Sequence, residues 1–375
     1  MTKGGKFLLE SPEVRKNRLP MSKTLQVSNR NERSVSDNSR WIWSSIQTLF
    51  WLVGLGIFLL LVFFPKIGIH AFWDVLIPVA PALFVLGTGF WRNVCPLGTV
   101  SLFPRHFGFS KSKRLKLEWQ GIFHLIGVGL LFLIVPLRHL VFDTDGRATA
   151  VLLALTSVVA FTAGYFFEWE SGWGSRLFPV PPGERLYGQK VLFSLPNAHC
   201  EQCHNCVIPC PDSTPGMNPS KAKMRWSQRF SSDLLIGGLP GFIWAWFHVP
   251  DFAGVVGWNE ILTAYGLPWT GLLTSFGIFL VLRFMLEEKH RPVLVSSFAA
   301  AAITSYYWYR IPALVGYGLF PGNGMLVNLR GIVPAWSLLP VQTGLLVFFT
   351  WWLVFRKTVA REWVTRPPFA RMVKQ

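Results

Sequence analysis

Long apolar blocks alternate with shorter polar segments along most of the chain. Each block is about 20 residues long, the length that an α-helix needs to cross the hydrocarbon core of a bilayer. The pattern predicts an all-α polytopic membrane protein with about eight transmembrane helices. The predicted spans are 43–64, 71–90, 121–141, 148–167, 234–249, 267–286, 293–309 and 333–355. The fifth is short and contains three glycines and Pro240, so we expect it to be kinked or partly re-entrant.

Composition supports a membrane protein. The chain of 375 residues is 51% hydrophobic and only 15% charged, whereas a soluble domain usually carries about 25% charged residues. No apolar h-region follows the start of the sequence, so we expect no cleaved signal peptide. The helices, rather than one soluble core, therefore determine the architecture.

Lysine and arginine are distributed very unevenly between the two sides of this predicted topology. With both termini inside, the inner segments hold 31 of the 36 basic residues. Basic residues near helix ends stay on the cytoplasmic side, so we expect a multi-pass protein of a bacterial inner membrane with both termini cytoplasmic. Topology and attraction to anionic lipid explain the net charge of +17, and we expect no nucleic-acid partner.

The topology divides the chain into five parts. Two cytoplasmic basic tails enclose two groups of four helices, and a long cytoplasmic loop separates the groups. In order, the parts are tail 1–40, helices 41–167 with a Cys-Pro turn at 95–96, loop 168–230, helices 231–355 and tail 356–375.

The cytoplasmic loop carries a dense run of cysteines, HCEQCHNCVIPCP, with thiols at Cys200, Cys203, Cys206 and Cys210. The spacing C-x2-C-x2-C-x3-C-P is that of bacterial ferredoxins. Zinc sites usually come as two separated pairs of ligands, and a reducing compartment disfavours disulfides. The run therefore predicts a small cytoplasmic ferredoxin-like loop that holds one [4Fe–4S] cluster.

A fifth cysteine, Cys95, also precedes a proline, at the predicted inner end of the second span. In two-cluster ferredoxins the fourth cysteine of such a run binds the other cluster, and a distant Cys-Pro completes the first. Two schemes are therefore open, in which either Cys95 or Cys210 is the fourth ligand beside Cys200, Cys203 and Cys206. Five cysteines cannot fully ligate two cubanes, so one cluster is expected in both schemes.

These motifs resemble the polytopic membrane ferredoxin family. Its members include NapH-type quinol dehydrogenase subunits, the membrane half of the nitrous-oxide regulator NosR, and CcoG/RdxA-type oxidase assembly proteins. The resemblance rests on residues 90–105 and 199–215. The chain departs from the family pattern in having one cysteine run and an incomplete C-x3-C-P motif, with Trp91 in place of the first cysteine. The resemblance implies a quinol dehydrogenase-type oxidoreductase subunit that needs a redox partner subunit.

Four histidines are candidates for a quinone or haem site. His70, His139 and His248 lie near the outer ends of spans, and His124 lies in the inner half of the third span. Asp74 lies one helical turn after His70, on the same face. A quinone near the outer ends would be about 30 Å from an inner cluster, so we expect the site near His124 and the Cys95 turn. A b-type haem held by two of the outer histidines is the alternative.

Three functions follow from these features. The first is an electron-transfer subunit that exchanges electrons between the quinone pool and a partner redox protein. The second is a reductase or assembly factor for a respiratory metalloenzyme, although the chain has only seven methionines and no Met-rich copper motif. The third is a structural iron–sulfur subunit of a larger respiratory or photosynthetic complex.

Overall fold

A computed structural model describes residues 37–86, 94–111, 113, 117–167, 226–252, 257–320 and 322–356. These residues form nine longer helices. The helices are α1 Asp37–Phe63, α2 Pro65–Leu86, α3 Pro96–His106, α4 Leu117–Ile134, α5 Gly146–Phe166, α6 Trp226–Trp246, α7 Trp258–Met285, α8 Arg291–Leu314 and α9 Ala335–Phe355. The run Cys200–Cys210 and most of both predicted tails lie outside the described residues.

Each predicted span coincides with one of these helices, but not all of the helices qualify as membrane-spanning. Five stretches in the described chain are long and apolar enough to cross a bilayer. They are Ser45–Phe63, Pro65–Leu86, Gly146–Phe166, Trp258–Met285 and Ala335–Phe355. The apolar part of α4, Gly121–Ile134, is shorter, and α6 and α8 fall outside the set. The chain is therefore a helical membrane protein with five candidate spans among its described residues.

Two elements differ from the sequence-based expectation. The predicted third span is interrupted after Ile134, because Pro136 cannot continue the hydrogen-bond ladder of α4. A short π-helix, Arg138–Phe142, follows it. The helix at the predicted fifth span is longer than expected, since α6 runs for 21 residues with Pro240 inside it.

The least apolar helices are covered by their neighbours. Buried polar side chains include Ser231 and Ser232 on α6 and Thr304 and Arg310 on α8. Large apolar side chains on the candidate spans instead face outward. This inverted distribution is the one expected of a helix bundle in lipid, where apolar side chains need no protein cover.

Close helix packing depends on glycines between α6 and α7. Gly241 and Gly271 lie against each other's carbonyl oxygens, and a methyl group on Gly271 would also lie 2.7 Å from Cβ of Ala245. Ser275 Oγ donates a hydrogen bond of 2.5 Å to the carbonyl of Gly237. Without a hydrophobic force between helices in lipid, such small-residue contacts and interhelical hydrogen bonds hold the pair together.

A second contact region joins α2, α8 and α9. Val85, Ala299, Ile303, Phe349 and Trp352 form its buried centre. The hydroxyl of Tyr307 donates a hydrogen bond of 2.7 Å to the carbonyl of Pro78. That carbonyl lies within α2, and the bond fixes the register between α2 and α8.

We predict that Gly271→Ala lowers the free energy of unfolding by about 1–3 kcal/mol, because the added methyl group overpacks the contact with α6. Denaturant unfolding of the detergent-solubilised protein, followed by near-UV circular dichroism, measures the change.

Gly277 on the same helix is the matched control, because a Cβ there meets no heavy atom within 4 Å. Gly277→Ala should leave stability unchanged or raise it by up to about 1 kcal/mol through helix propensity. Equal decreases in the free energy of unfolding of Gly271→Ala and Gly277→Ala would show that overpacking against α6 is not the cause.

Candidate functional site

Cys95 is the one predicted cluster ligand within the described residues, and it lies directly before α3. Its thiol is hydrogen-bonded by the backbone N–H groups of Leu97 and Gly98. Its carbonyl accepts a hydrogen bond of 3.0 Å from the backbone N–H of Thr99. Backbone N–H groups at a helix start stabilise negative charge on sulfur. Burial nevertheless raises the pKa of the Cys95 thiol above its ordinary value, and the two N–H groups offset only part of that shift.

Contacts of α3 place this thiol close to the middle of α1. The ring of Pro96 lies against Gly54, where an added Cβ would be 2.8 Å from Cγ of the proline. Gly54 is the central residue of the candidate span Ser45–Phe63. With a rise of 1.5 Å per residue, it lies about 14 Å from either end of that span. Cys95 thus lies nearer to the centre of the apolar band than the sequence predicted, since the predicted position was the inner end of the second span.

A second group of candidate residues lies at the opposite end of α2, where the α4–α5 and α6–α7 connections and the end of α8 meet. We call this group the buried charge cluster. Its members are Asp74, Arg138, His139, Asp143, Asp251 and Arg310.

Asp74 on α2 is the centre of the cluster and is 4% exposed. Its Oδ1 accepts a hydrogen bond of 2.7 Å from Nη2 of Arg310, and Nη2 of Arg138 lies 3.9 Å from the same oxygen. Arg310 also donates a hydrogen bond of 2.6 Å to the carbonyl of Trp73. A buried charge is tolerated only when it is paired and hydrogen-bonded, and Asp74 provides this pairing for both arginines.

Arg138 is held between aromatic rings. Its guanidinium carbon lies 4.9 Å from the centroid of the Trp73 ring and 5.3 Å from that of Trp246. Nε of Arg138 donates a hydrogen bond of 3.1 Å to Asp143. Arginine stacks on aromatic faces and binds carboxylates at the same time, so Arg138 connects α2, the α4–α5 connection and the end of α6.

His139 uses both ring nitrogens. Nδ1 lies 2.5 Å from Oδ1 of Asp251, and Nε2 lies 3.1 Å from the carbonyl oxygen of Trp246. Both partners are acceptors, and only a doubly protonated imidazole can donate to both. The ring also packs on Trp246, with centroids 4.4 Å apart. Both ring nitrogens of His139, one of the candidate haem ligands, are therefore engaged in hydrogen bonds.

Asp143 and Asp251 share a hydrogen bond, and their pKa values move in opposite directions. Burial, assisted by the charge of Asp251, raises the pKa of Asp143 although Arg138 opposes the shift. Burial also disfavours the ionised form of Asp251. The hydrogen bond from His139 and the charges of His139 and Arg138 outweigh burial, and the pKa of Asp251 is lowered. Asp143 therefore keeps its proton to a higher pH than Asp251 does.

The other three candidate histidines have different surroundings. His70 is 61% exposed, and its Nδ1 lies 2.7 Å from Oδ2 of Asp74. His248 is partly exposed, and its Nδ1 donates to the carbonyl of Trp244 at 2.7 Å. His124 is buried, with Nδ1 2.5 Å from the hydroxyl of Ser231.

The predicted pairing of His124 with the Cys95 turn is not supported by these contacts. His124 on α4 packs against α6, whereas α3, which follows Cys95, packs on α5 and α1. The adjacency of His70 and Asp74 expected from their spacing is confirmed.

Sequence analysis did not identify Arg138, Arg310, Asp143 or Asp251 as members of a site. Their position in the sequence could have indicated a site, because ionisable residues at or within the ends of apolar spans are functional candidates by default. Their partners lie in other helices and connections, so sequence spacing alone could not pair them.

No family model, curated protein or solved structure matches this chain. The resemblance to the polytopic membrane ferredoxin family therefore stays a prediction based on residues 90–105 and 199–215. The roles of the site residues are derived from their own geometry.

We predict that Asp74→Asn destabilises the protein by about 3–5 kcal/mol, since it leaves the buried charges of Arg310 and Arg138 without their carboxylate. Arg310→Gln should cost a similar amount, and the double variant should cost less than the sum of the two. Thermal unfolding in detergent of the two single variants and the double variant measures this coupling.

The exposed pair Glu288–Arg291, at the other end of α8, is the control. Glu288→Gln should change stability by less than about 1 kcal/mol. Additive losses at Asp74 and Arg310 would show that the two side chains do not stabilise each other.

Stability should depend on pH in opposite ways at Asp143 and Asp251. The lowered pKa of Asp251 stabilises the folded protein above the ordinary aspartate pKa of about 3.9, and this contribution is lost as pH falls through the folded value. The raised pKa of Asp143 favours the folded protein below about 3.9, and this contribution is lost as pH rises through the folded value. At pH 7, Asp251→Asn should therefore lower the unfolding midpoint, whereas Asp143→Asn should maintain or raise it.

Thermal unfolding at pH 7 and at progressively lower pH tests this pair of variants. The Asp143→Asn difference should shrink as pH falls towards about 3.9, the ordinary aspartate value, whereas the Asp251→Asn difference should shrink only below about pH 3.9. A loss at pH 7 in Asp143→Asn as large as that in Asp251→Asn would contradict the opposite pKa shifts of the two carboxyl groups.

Proposed function

We propose that this protein is a membrane-embedded electron-transfer subunit that holds one [4Fe–4S] cluster and exchanges electrons between the quinone pool and a partner redox protein. The observation that carries the proposal is the spacing of Cys200, Cys203, Cys206 and Cys210, with Cys-Pro at the end of the run and a second Cys-Pro at Cys95. Bound to such thiolates, the cluster supplies one-electron redox chemistry.

The surroundings of Cys95 support its choice as fourth ligand. Two backbone N–H groups of the α3 start point at its sulfur. Hydrogen bonds to cluster sulfurs are among the features that set the reduction potential of an iron–sulfur centre. Cys200, Cys203 and Cys206 complete this proposed set, and Cys210 is then spare.

The proposed orientation follows from the basic residues. The connections at the end that contains the buried charge cluster carry few lysines and arginines, and the long segments at the other end carry most of them. By the positive-inside rule, the cysteine run and both termini lie in the cytoplasm of a bacterium. The buried charge cluster then lies towards the outer face.

We predict that Cys200→Ser and Cys95→Ser each abolish the iron–sulfur signal, because each removes a thiolate ligand. Cys210→Ser should retain iron, acid-labile sulfide and the reduced-state EPR signal. The measurement is metal and sulfide content together with EPR on the anaerobically purified full chain.

Cys210→Ser is the matched control for Cys95→Ser, since both replace a cysteine that precedes a proline. Loss in both variants would contradict the single-cluster scheme, and zinc in place of iron would contradict the redox function. Reduction of the unsubstituted protein by added quinol then distinguishes exchange with the quinone pool from a purely structural cluster.

A further inference from the structure

His70 is exposed on the surface of a candidate membrane span. Its side chain is 61% exposed, and the candidate span Pro65–Leu86 begins five residues before it. At 1.5 Å per residue, that places it about 8 Å inside the end of the span. Phe64 and Ile67 are also exposed, at 61% and 59%, and the exposed Lys66 lies one helical turn before His70. The imidazole is therefore accessible to molecules dissolved in the membrane.

The buried charge cluster fixes the orientation of this imidazole. Nδ1 of His70 lies 2.7 Å from Oδ2 of Asp74, while the other carboxylate oxygen is held by Arg310. With a carboxylate oxygen as the acceptor, Nδ1 donates this hydrogen bond, and Nε2 has no hydrogen-bond partner among the described residues. A carboxylate that determines the tautomer of a histidine in this way is common where the other nitrogen binds a ligand.

The local backbone is also unusual at this position. His70–Leu76 forms a π-helix inside α2, as Arg138–Phe142 does around His139, and π-helical turns are rare and often occur at functional sites. Among the candidate histidines, His70 combines high exposure with a buried carboxylate partner. His248 is instead bonded to a carbonyl of its own helix and packed against Trp244.

We propose that His70 and Asp74 form a docking site for a quinol that reaches it laterally through the membrane. The phenolic hydroxyl of the quinol donates a hydrogen bond to Nε2 of His70, and its apolar body lies against the exposed side chains of this surface. Asp74 holds the ring in the accepting tautomer. The identity of the ligand rests on the proposed function, whereas the site rests on the geometry of His70 and Asp74.

An imidazole near a helix end also occurs as a simple interfacial anchor to lipid. An anchor contacts headgroups that are present in large excess and has no saturable preference for a hydroxylated ring. Saturable binding of a quinol analogue that depends on His70 therefore separates docking from anchoring.

The test uses the full chain in phospholipid nanodiscs and a fluorescent hydroxyquinoline N-oxide, a quinol analogue whose emission is quenched on binding. His70→Ala should raise the Kd about tenfold or more, the effect of losing one useful hydrogen bond. His70→Gln, which retains an acceptor, should remain closer to the unsubstituted protein. His248→Ala is the matched control and should bind within about twofold of the unsubstituted protein, since that ring lies outside the proposed site.

An unchanged Kd in His70→Ala, an equal loss in His248→Ala, or no saturable binding to the unsubstituted protein would each overturn the docking site. Iron and sulfide measured on the same samples test the proposed function separately. His70-dependent binding without iron would retain the site and reject the electron-transfer role. A complete cluster together with binding that does not depend on His70 would reject the docking site and retain the electron-transfer role.

Discussion

The ion pair between Asp74 and Arg310 joins α2 to α8 inside the bundle, and the arrangement of the neighbouring charges depends on it. Arg138 approaches the same carboxylate from the α4–α5 connection. Removing two arginines and an aspartate from water costs several kcal/mol per ion, which only close pairing and additional hydrogen bonds offset. The contacts of Arg310 with the Trp73 carbonyl and of Arg138 with Asp143 are those additional bonds. The cluster thus specifies how the helix ends meet more than it adds net stability.

Polar contacts also determine the helix arrangement in the rest of the bundle. Helices α6 and α8 carry buried polar groups, and the candidate spans around them present apolar side chains outward. Glycines then allow α6 and α7 to approach until backbone atoms touch. Lipid gives no hydrophobic reward for bringing apolar helices together, so polar pairs and close backbone contacts determine which helices are neighbours.

Sequence reasoning predicted the helices well because a span of apolar residues is a local signal, and it located the interruptions poorly. The fifth span was expected to be short, yet α6 runs for 21 residues and continues through Pro240, since a bundle can satisfy the backbone groups that a proline frees. The His70–Asp74 contact was predictable because both residues lie one turn apart on one helix. The pairs His139–Asp251 and Asp74–Arg310 join residues 112 and 236 positions apart, so only the tertiary fold brings them together.

The position of Cys95 affects where a quinone could exchange electrons with the proposed cluster. An inner cluster and an outer quinone were expected to be separated by about 30 Å, the full hydrocarbon thickness, which is too far for one efficient electron transfer. The contact of Pro96 with Gly54 instead places Cys95 about half a span from the end of α1. His70 lies about 8 Å from the same end of the bundle, a distance that follows from the rise per residue along α2. The depths of a ligand on His70 and of a centre bound by Cys95 would then differ by much less than the bilayer thickness. A quinone near the outer ends of the spans would thus face a smaller separation in depth than the one expected from the sequence.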